Sequence, residues 1–259
     1  MDHRLAIMEL GIGYCGTKMP DGVANESWLQ TSLSLNEFPI ILLSGMAADE
    51  RLFAAQVAAF PNLRVQPWIP PLPRESLRAY ARRLAAVVDP GRPCVVGGAS
   101  FGGVVALEMA QHLDALACIL IGSVRSPSGL PRRWRLLRPV ATLGPGALRV
   151  LCLLGSRLGR WFLKPGTVRR LEKLSRPEAA FVRWAMCAVV RWRPSTGVAG
   201  TRVFHIHGEY DRVLPVALAK PDVIVPGGQH ALTLFNPSAV NQFIADVMRS
   251  VEKQNAPDS

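Results

Sequence analysis

The sequence has no apolar run long enough to span a membrane, because its longest lipophilic stretches, such as VLCLLG, fall far short of about 18–20 residues. The stretch MDHRLAIMELGIGYCG also lacks the basic start and long apolar core of a secretory signal. Hydrophobic residues make up 49% of the 259 residues and charged residues 19%, which excludes a disordered chain. We therefore expect one globular α/β domain with room for an insertion.

Cysteine is scarce, and no two cysteines form a C-x-x-C pair. An odd, scattered set of this kind is typical of free thiols in a reducing compartment, so we expect a cytoplasmic protein without a zinc site. The five cysteines are Cys15, Cys94, Cys118, Cys152 and Cys187.

Acidic residues are nearly missing from one segment. Residues 125–193 hold 16 of the 30 lysines and arginines but only two of the 19 acids, Glu172 and Glu178, so the segment carries +14 and the remainder −3. Such asymmetry predicts an anionic partner, either a phosphate-bearing acyl carrier or coenzyme A, or an anionic lipid surface. A solvated basic surface without a partner is the alternative. No nucleic-acid-binding module is recognisable, so no nucleic acid is expected.

Strands and helices alternate along most of the chain. Apolar runs predict buried strands at 38–45, 63–68, 93–100, 116–123, 201–208 and 221–228, and RLAIMEL near the start is a further candidate. Helical spacing predicts helices at 49–60, 75–89, 101–113 and 238–254. This order predicts a mostly parallel sheet flanked by helices. Between 124 and 198 only helical periodicity remains, so we expect a basic helical cap, 124–198, inserted into a core of 1–123 and 199–259.

A glycine-rich turn follows the strand at 93–100. Gly98, Ser100 and Gly102 fit the pattern G-x-S-x-G, in which a strained serine between a strand and a helix needs small neighbours on both sides. The amide of Phe101 would then point to the same spot as the serine hydroxyl, at the positive end of the helix. A glycine-rich packing turn is the alternative interpretation of this motif.

A serine nucleophile needs a base that is oriented by an acid, and the downstream sequence supplies both. Asp211 follows the strand at 201–208, and His230 follows the strand at 221–228. Because the carboxyl ends of parallel strands meet at one edge, we expect Ser100, Asp211 and His230 to converge there. Glu209 is the alternative acid.

These motifs, in the order serine, acid, histidine, resemble those of the α/β-hydrolase-fold serine hydrolases, specifically small-cap carboxylesterases of the esterase and lipase type. The segment HGEYD matches the family's His-Gly-x-x-Asp turn, which makes Asp211 the acid. The family's oxyanion loop usually reads His-Gly-x, and here Ser44 stands in the histidine's place. The resemblance implies that the amides of Met46 and Phe101 bind the oxyanion and that no cofactor or metal is needed.

The expected activity is hydrolysis of carboxylic esters through an acyl-enzyme. The alternatives are a thioesterase or methyl esterase acting on carrier-bound acyl chains, and a non-catalytic binding protein on the same fold. The segment GIGYCG at 11–16 fits a dinucleotide-binding pattern, but TKMPDG follows where a helix is required, so no dinucleotide site is expected.

Other titratable residues have structural interpretations. We expect His205 to pack within the sheet, His207 to close the acid turn, and His112 and Glu108 to lie at the surface. Asp49 is expected to begin a helix, with bracing of the oxyanion loop as the alternative.

Overall fold

A computed structural model describes residues 38–135, 179–194 and 201–255. The expected strand RLAIMEL, the GIGYCG segment, Cys15, Cys152 and most of the expected cap lie outside the described residues. The cap boundaries at 124 and 198 therefore stay a prediction. Within the described ranges, no helix combines the length and the apolarity that crossing a membrane requires.

A six-stranded parallel sheet forms the centre of the described structure, with strand order β2-β1-β3-β4-β5-β6. The central strands are buried, which explains their continuous apolar sequences. The expected α/β fold with a mostly parallel sheet is confirmed. The strands are β1 (Ile40–Leu43), β2 (Leu63–Gln66), β3 (Cys94–Ala99), β4 (Ala115–Ile121), β5 (Arg202–Gly208) and β6 (Val223–Val225).

Helices cover both faces of this sheet, so each face has its own apolar core. The α-helices are α1 (Ala54–Ala59), α2 (Leu77–Val88), α3 (Phe101–Met109), α4 (Arg132–Arg135), α5 (Ala179–Arg191), α6 (Val216–Ala219), α7 (Leu232–Phe235) and α8 (Pro237–Asn255). Helices α2, α3 and α5 share one core, whereas α8 and the 3₁₀ helix Glu50–Phe53 contribute to the other. Helix α2 begins where the Ser76 hydroxyl accepts a hydrogen bond from the Ala79 amide.

Helix α5 is fixed to the core by aromatic side chains. Phe181 and Trp184 of α5 pack against Trp68, Tyr80 and Phe101 in tilted and edge-to-face arrangements, with ring centroids 4.3–6.4 Å apart. The indole of Trp184 also donates to the carbonyl oxygen of Glu75 at 2.9 Å. This cluster holds α5 beside the start of α3.

Glu108 does not lie at the surface, so that prediction is wrong. Every residue of α3 is buried, and Glu108 is 2% exposed. Its Oε1 accepts a hydrogen bond of 2.8 Å from the indole of Trp192, which supplies the polar partner that a buried carboxyl group needs. His112, beyond the end of α3, is exposed as expected.

Candidate active site

Ser100 occupies a strained turn between β3 and α3. Its φ is 53° and its ψ is −119°, a backbone conformation that a residue with a side chain rarely adopts. A Cβ atom at Gly98 would lie 2.5 Å from the carbonyl carbon of Gly102, and one at Gly102 would overlap the carbonyl oxygen of Leu43. Glycine at both positions therefore allows β1, β3 and α3 to meet closely around the serine.

Three hydrogen bonds hold the backbone of Ser100 in this conformation. Its amide donates to the carbonyl of Ile121 at the end of β4, at 3.0 Å. Its carbonyl accepts from the Ser123 hydroxyl at 2.7 Å and from the Gly103 amide at 3.1 Å. The strain is thus held by neighbouring elements, and the Ser100 hydroxyl is left for another partner.

That partner is His230, which the loop after β6 brings to the same edge of the sheet. His230 Nε2 lies 3.0 Å from Ser100 Oγ, and His230 Nδ1 lies 2.7 Å from Asp211 Oδ2. The structure therefore joins the serine, histidine and acid that the sequence singled out, although 130 residues separate Ser100 from His230.

The carboxylate of Asp211 is buried but has several donors. Its Oδ1 accepts from the amides of Val213 and Leu214 at 2.8 and 2.9 Å, while Oδ2 faces His230. Burial opposes ionisation, but the charge of His230 and hydrogen bonds from His207, His230 and Leu214 outweigh it. Together they hold the pKa of Asp211 well below its usual value. The acid is therefore fixed in position and stays ionised.

Behind Asp211, His207 closes the acid turn and His205 packs within β5, as expected. His207 Nε2 lies 2.7 Å from the carbonyl oxygen of Leu214 and 3.2 Å from Asp211 Oδ2. His205 Nε2 lies 3.1 Å from His207 Nδ1, and both residues are fully buried. The two imidazoles therefore extend the polar chain from the acid into the sheet.

The loop after β1 lies against the serine. A Cβ atom at Gly45 would be 3.8 Å from Ser100 Cβ. Within the described ranges, the amides of Met46 and Phe101 donate to no protein acceptor.

Ser44 closes this loop, a role that sequence reasoning missed. Its hydroxyl donates to the carbonyl of Ala48 at 2.8 Å, and the Ala48 amide donates to the carbonyl of Gly45 at 3.1 Å. A serine at the start of a tight turn was the available signal, since such hydroxyls commonly bond to nearby backbone.

The two side chains considered as alternatives, Asp49 for bracing the oxyanion loop and Glu209 for the acid, have other partners. Asp49 begins the helical segment by accepting from the Arg51 amide at 3.0 Å, and its side chain pairs with the Arg51 guanidinium. Glu209 is exposed, and its carboxylate accepts from the Gly227 amide at 2.8 Å. In the described part of the chain, no group of three or more histidine, cysteine or acidic side chains could hold a metal ion.

Comparison with known proteins extends this description. A sequence model of the alpha/beta hydrolase family matches residues 26–243. Among curated proteins, no sequence matches this chain.

Several solved structures share its fold. An esterase from Thermogutta terrifontis has a TM-score of 0.60 at 22% identity and covers 84% of this chain and 91% of its own. An esterase from Exiguobacterium antarcticum has a TM-score of 0.60 at 15% identity, and the match covers 83% of this chain and 92% of the esterase. An enol-lactonase from Burkholderia xenovorans LB400 has a TM-score of 0.62 at 16% identity, and the match covers 82% of this chain and 92% of the enol-lactonase. At these identities the likeness is one of fold, and together with the family match it shows that this chain belongs to the alpha/beta hydrolase family.

Proposed function

We propose that the protein is a serine hydrolase that cleaves carboxylic esters. The observation that carries this proposal is the hydrogen-bonded chain from Ser100 through His230 to Asp211, with contacts of 3.0 and 2.7 Å. Two of the similar structures are named as esterases, which supports esters as the substrate class.

The proposed reaction proceeds in two halves. His230 Nε2 takes the proton of Ser100 as Oγ bonds to the ester carbonyl carbon, and the amides of Met46 and Phe101 bind the resulting oxyanion. The intermediate then collapses, and the alcohol leaves with the proton from His230. Water, activated by the same imidazole, hydrolyses the acyl-enzyme. Asp211 orients His230 throughout and stabilises its charged form.

Apolar side chains in the loops after β1 and β2 favour an acyl group of low polarity. Met46 and Trp68 are partly buried and pack against the core that contains Phe101, the neighbour of Ser100 in the chain, and Phe181. Such a surface gains free energy by removing a hydrocarbon chain from water.

The first experiment compares the parent with Ser100→Ala on p-nitrophenyl esters from acetyl to lauroyl. We expect saturable hydrolysis by the parent and a loss of at least about a thousandfold in kcat in the variant. Ser128→Ala, which changes an exposed serine, is the matched control and should retain parental activity.

Labelling with a fluorophosphonate separates an enzyme from a binding protein on the same fold. The parent and Ser128→Ala should be labelled, whereas Ser100→Ala should not. A folded parent that hydrolyses no ester and resists labelling would disprove the proposal and favour the non-catalytic alternative.

A second substrate class is an acyl thioester or methyl ester presented on a phosphate-bearing carrier. The charge of +14 in residues 125–193 is the observation that favours it. The same serine chemistry applies to thioesters, so only the leaving group and its docking differ between the two classes.

A further inference from the structure

A pair of buried histidines lies behind the proposed acid and takes no direct part in the proposed reaction. His205 belongs to β5, and His207 stands two residues further along the same strand. His205 Nε2 lies 3.1 Å from His207 Nδ1, and the rings meet edge to face with centroids 5.2 Å apart. Both side chains are shielded from water. His205 Nε2 and both nitrogens of His207 face protein groups, whereas His205 Nδ1 has no hydrogen-bond partner among the described residues.

The partners of His207 determine where its hydrogen lies. A carbonyl oxygen can only accept, so the 2.7 Å contact with Leu214 requires a hydrogen on His207 Nε2. The same hydrogen faces Asp211 Oδ2 at 3.2 Å. In a neutral imidazole Nδ1 is then an acceptor, and the group that faces it is His205 Nε2, which must therefore donate.

We propose that His205 is a positioning residue: its Nε2–H donates to His207 Nδ1, fixes the Nε2–H tautomer of His207, and so holds the turn that carries Asp211. With the opposite tautomer, a lone pair on His207 would face the Leu214 carbonyl and the Asp211 carboxylate, and both contacts would become repulsive. The consequence for catalysis rests on the proposed function, whereas the tautomer does not.

The surroundings of His205 keep it neutral, as this arrangement requires. Burial is the main cause and lowers the pKa of His205 to about 3, and the positive charge of Arg125 acts in the same direction. Asp222 opposes this shift, but its Oδ2 is engaged by the His205 backbone amide at 2.8 Å and by Arg125 at 2.5 Å. A neutral imidazole carries a single ring hydrogen, and His205 Nε2 can hold it near pH 7 and donate it to His207 Nδ1.

Two substitutions at His205 separate donation from packing. His205→Gln places an amide N–H at about the reach of Nε2, whereas His205→Met fills similar space without a donor. We expect His205→Gln to keep most of the parental kcat on p-nitrophenyl esters. His205→Met should lose about tenfold in kcat with little change in KM, the scale of one lost buried hydrogen bond.

The tautomer itself is measured by long-range ¹H–¹⁵N correlation spectra of protein labelled with ¹⁵N-histidine, in which five histidines must be assigned. The parent and His205→Gln should show His207 protonated at Nε2 only, and His205→Met should show this pattern disturbed. A hydrogen on Nδ1 of His207 in the parent overturns the proposal, and this spectrum needs no variant to fold.

The proposal is also overturned if His205→Met retains the tautomer and kcat and only lowers the melting temperature, because the residue then serves packing alone. If the parent hydrolyses no ester, the proposed function fails, while the spectra still decide the tautomer. The two failures are therefore distinguishable.

Discussion

At the scale of single residues, Asp211 is a buried acid whose carboxylate has several hydrogen-bond donors. Its Oδ1 accepts from two backbone amides, while Oδ2 faces His230 at 2.7 Å and His207 at 3.2 Å. An asparagine could keep the backbone contacts only by turning its amino group toward His230 Nδ1, which would enforce the wrong tautomer of that ring.

We therefore expect Asp211→Asn to lower kcat on the best p-nitrophenyl ester by about 10³–10⁴-fold with a small change in KM. Asp246→Asn, an exposed change on α8, is the control and should retain parental kinetics. Steady-state kinetics near pH 7.5 measure both. A decrease of less than about tenfold in Asp211→Asn would contradict the role of the acid.

His205 makes the stability depend on pH. Burial and its charged neighbours lower its folded-state pKa from 6.5 to about 3, so the unfolded chain takes up the proton first as pH falls. The resulting stabilisation is complete above pH 6.5 and is lost between pH 6.5 and about 3. Asp211 also has a lowered pKa, but its contribution is lost only in stronger acid, below its usual value of 3.8.

Between about pH 7.5 and about pH 5, the parent should lose about 2 kcal/mol more unfolding free energy than His205→Gln, which lacks this titration. Urea unfolding at the two pH values measures the difference. Equal losses in the two proteins would show that His205 does not titrate on unfolding.

The glycines at the turn predict a difference between two alanine substitutions. Gly102→Ala would force β1 away from α3, because the added Cβ would overlap the Leu43 carbonyl. We expect this substitution to lower the free energy of unfolding by about 1–3 kcal/mol. Gly45→Ala meets only ordinary contacts at 3.8 Å, so its melting temperature should stay close to the parental value. Thermal unfolding compares the two, and equal melting temperatures would argue against the close packing.

Motif spacing was sufficient to single out Ser100, Asp211 and His230, because each follows a strand whose carboxyl end meets the same edge. The bond from Ser44 to Ala48 could not be derived in this way. It depends on the local path of the loop after β1, and a serine hydroxyl has no fixed partner until that path is known.

At the scale of elements, α3 shows where periodicity stops being informative. An amphipathic pattern identifies the buried face of a helix, but α3 is enclosed on every side, so it has no exposed face to locate. Glu108 therefore looked like a surface residue, and its partner Trp192 stands 84 residues further along the chain. Only tertiary contact between α3 and the end of α5 reveals the pair.

Trp192→Phe removes the indole donor to Glu108 while preserving an aromatic ring. We expect the amides of α5 to exchange with solvent about 5- to 100-fold faster, since loss of a buried hydrogen bond lowers the cost of local opening. Amides of β3 should be protected as in the parent. Hydrogen exchange detected by mass spectrometry measures both, and unchanged exchange in α5 would show that the bond does not hold that helix.

At the scale of the whole molecule, strand–helix alternation was enough to predict the parallel sheet. The spatial order β2-β1-β3-β4-β5-β6 was not predictable from alternation. Alternation does not say on which side of the existing sheet each new strand is added. Charge is unevenly distributed along the chain, because residues 125–193 have a net charge of +14 and the remainder has a net charge of −3.

If this charge attracts phosphate-bearing acyl carriers, salt should weaken their use selectively. Between about 50 and 500 mM NaCl, kcat/KM for an acyl-coenzyme A should fall about tenfold, whereas an uncharged p-nitrophenyl ester of the same acyl chain should be little affected. Parallel measurements on the two substrates test this. Equal salt dependence would remove the argument for an anionic carrier.

The position of β4 between β3 and β5 has a consequence for how the protein folds. Ser100 lies at the end of β3, while Asp211 and His230 follow β5 and β6, so the three side chains meet only when four neighbouring strands have paired in register. These are long-range pairings, which form late because a large loop must close first. Recovery of the hydrogen-bonded triplet during refolding therefore marks completion of this half of the sheet rather than the initial collapse of the chain.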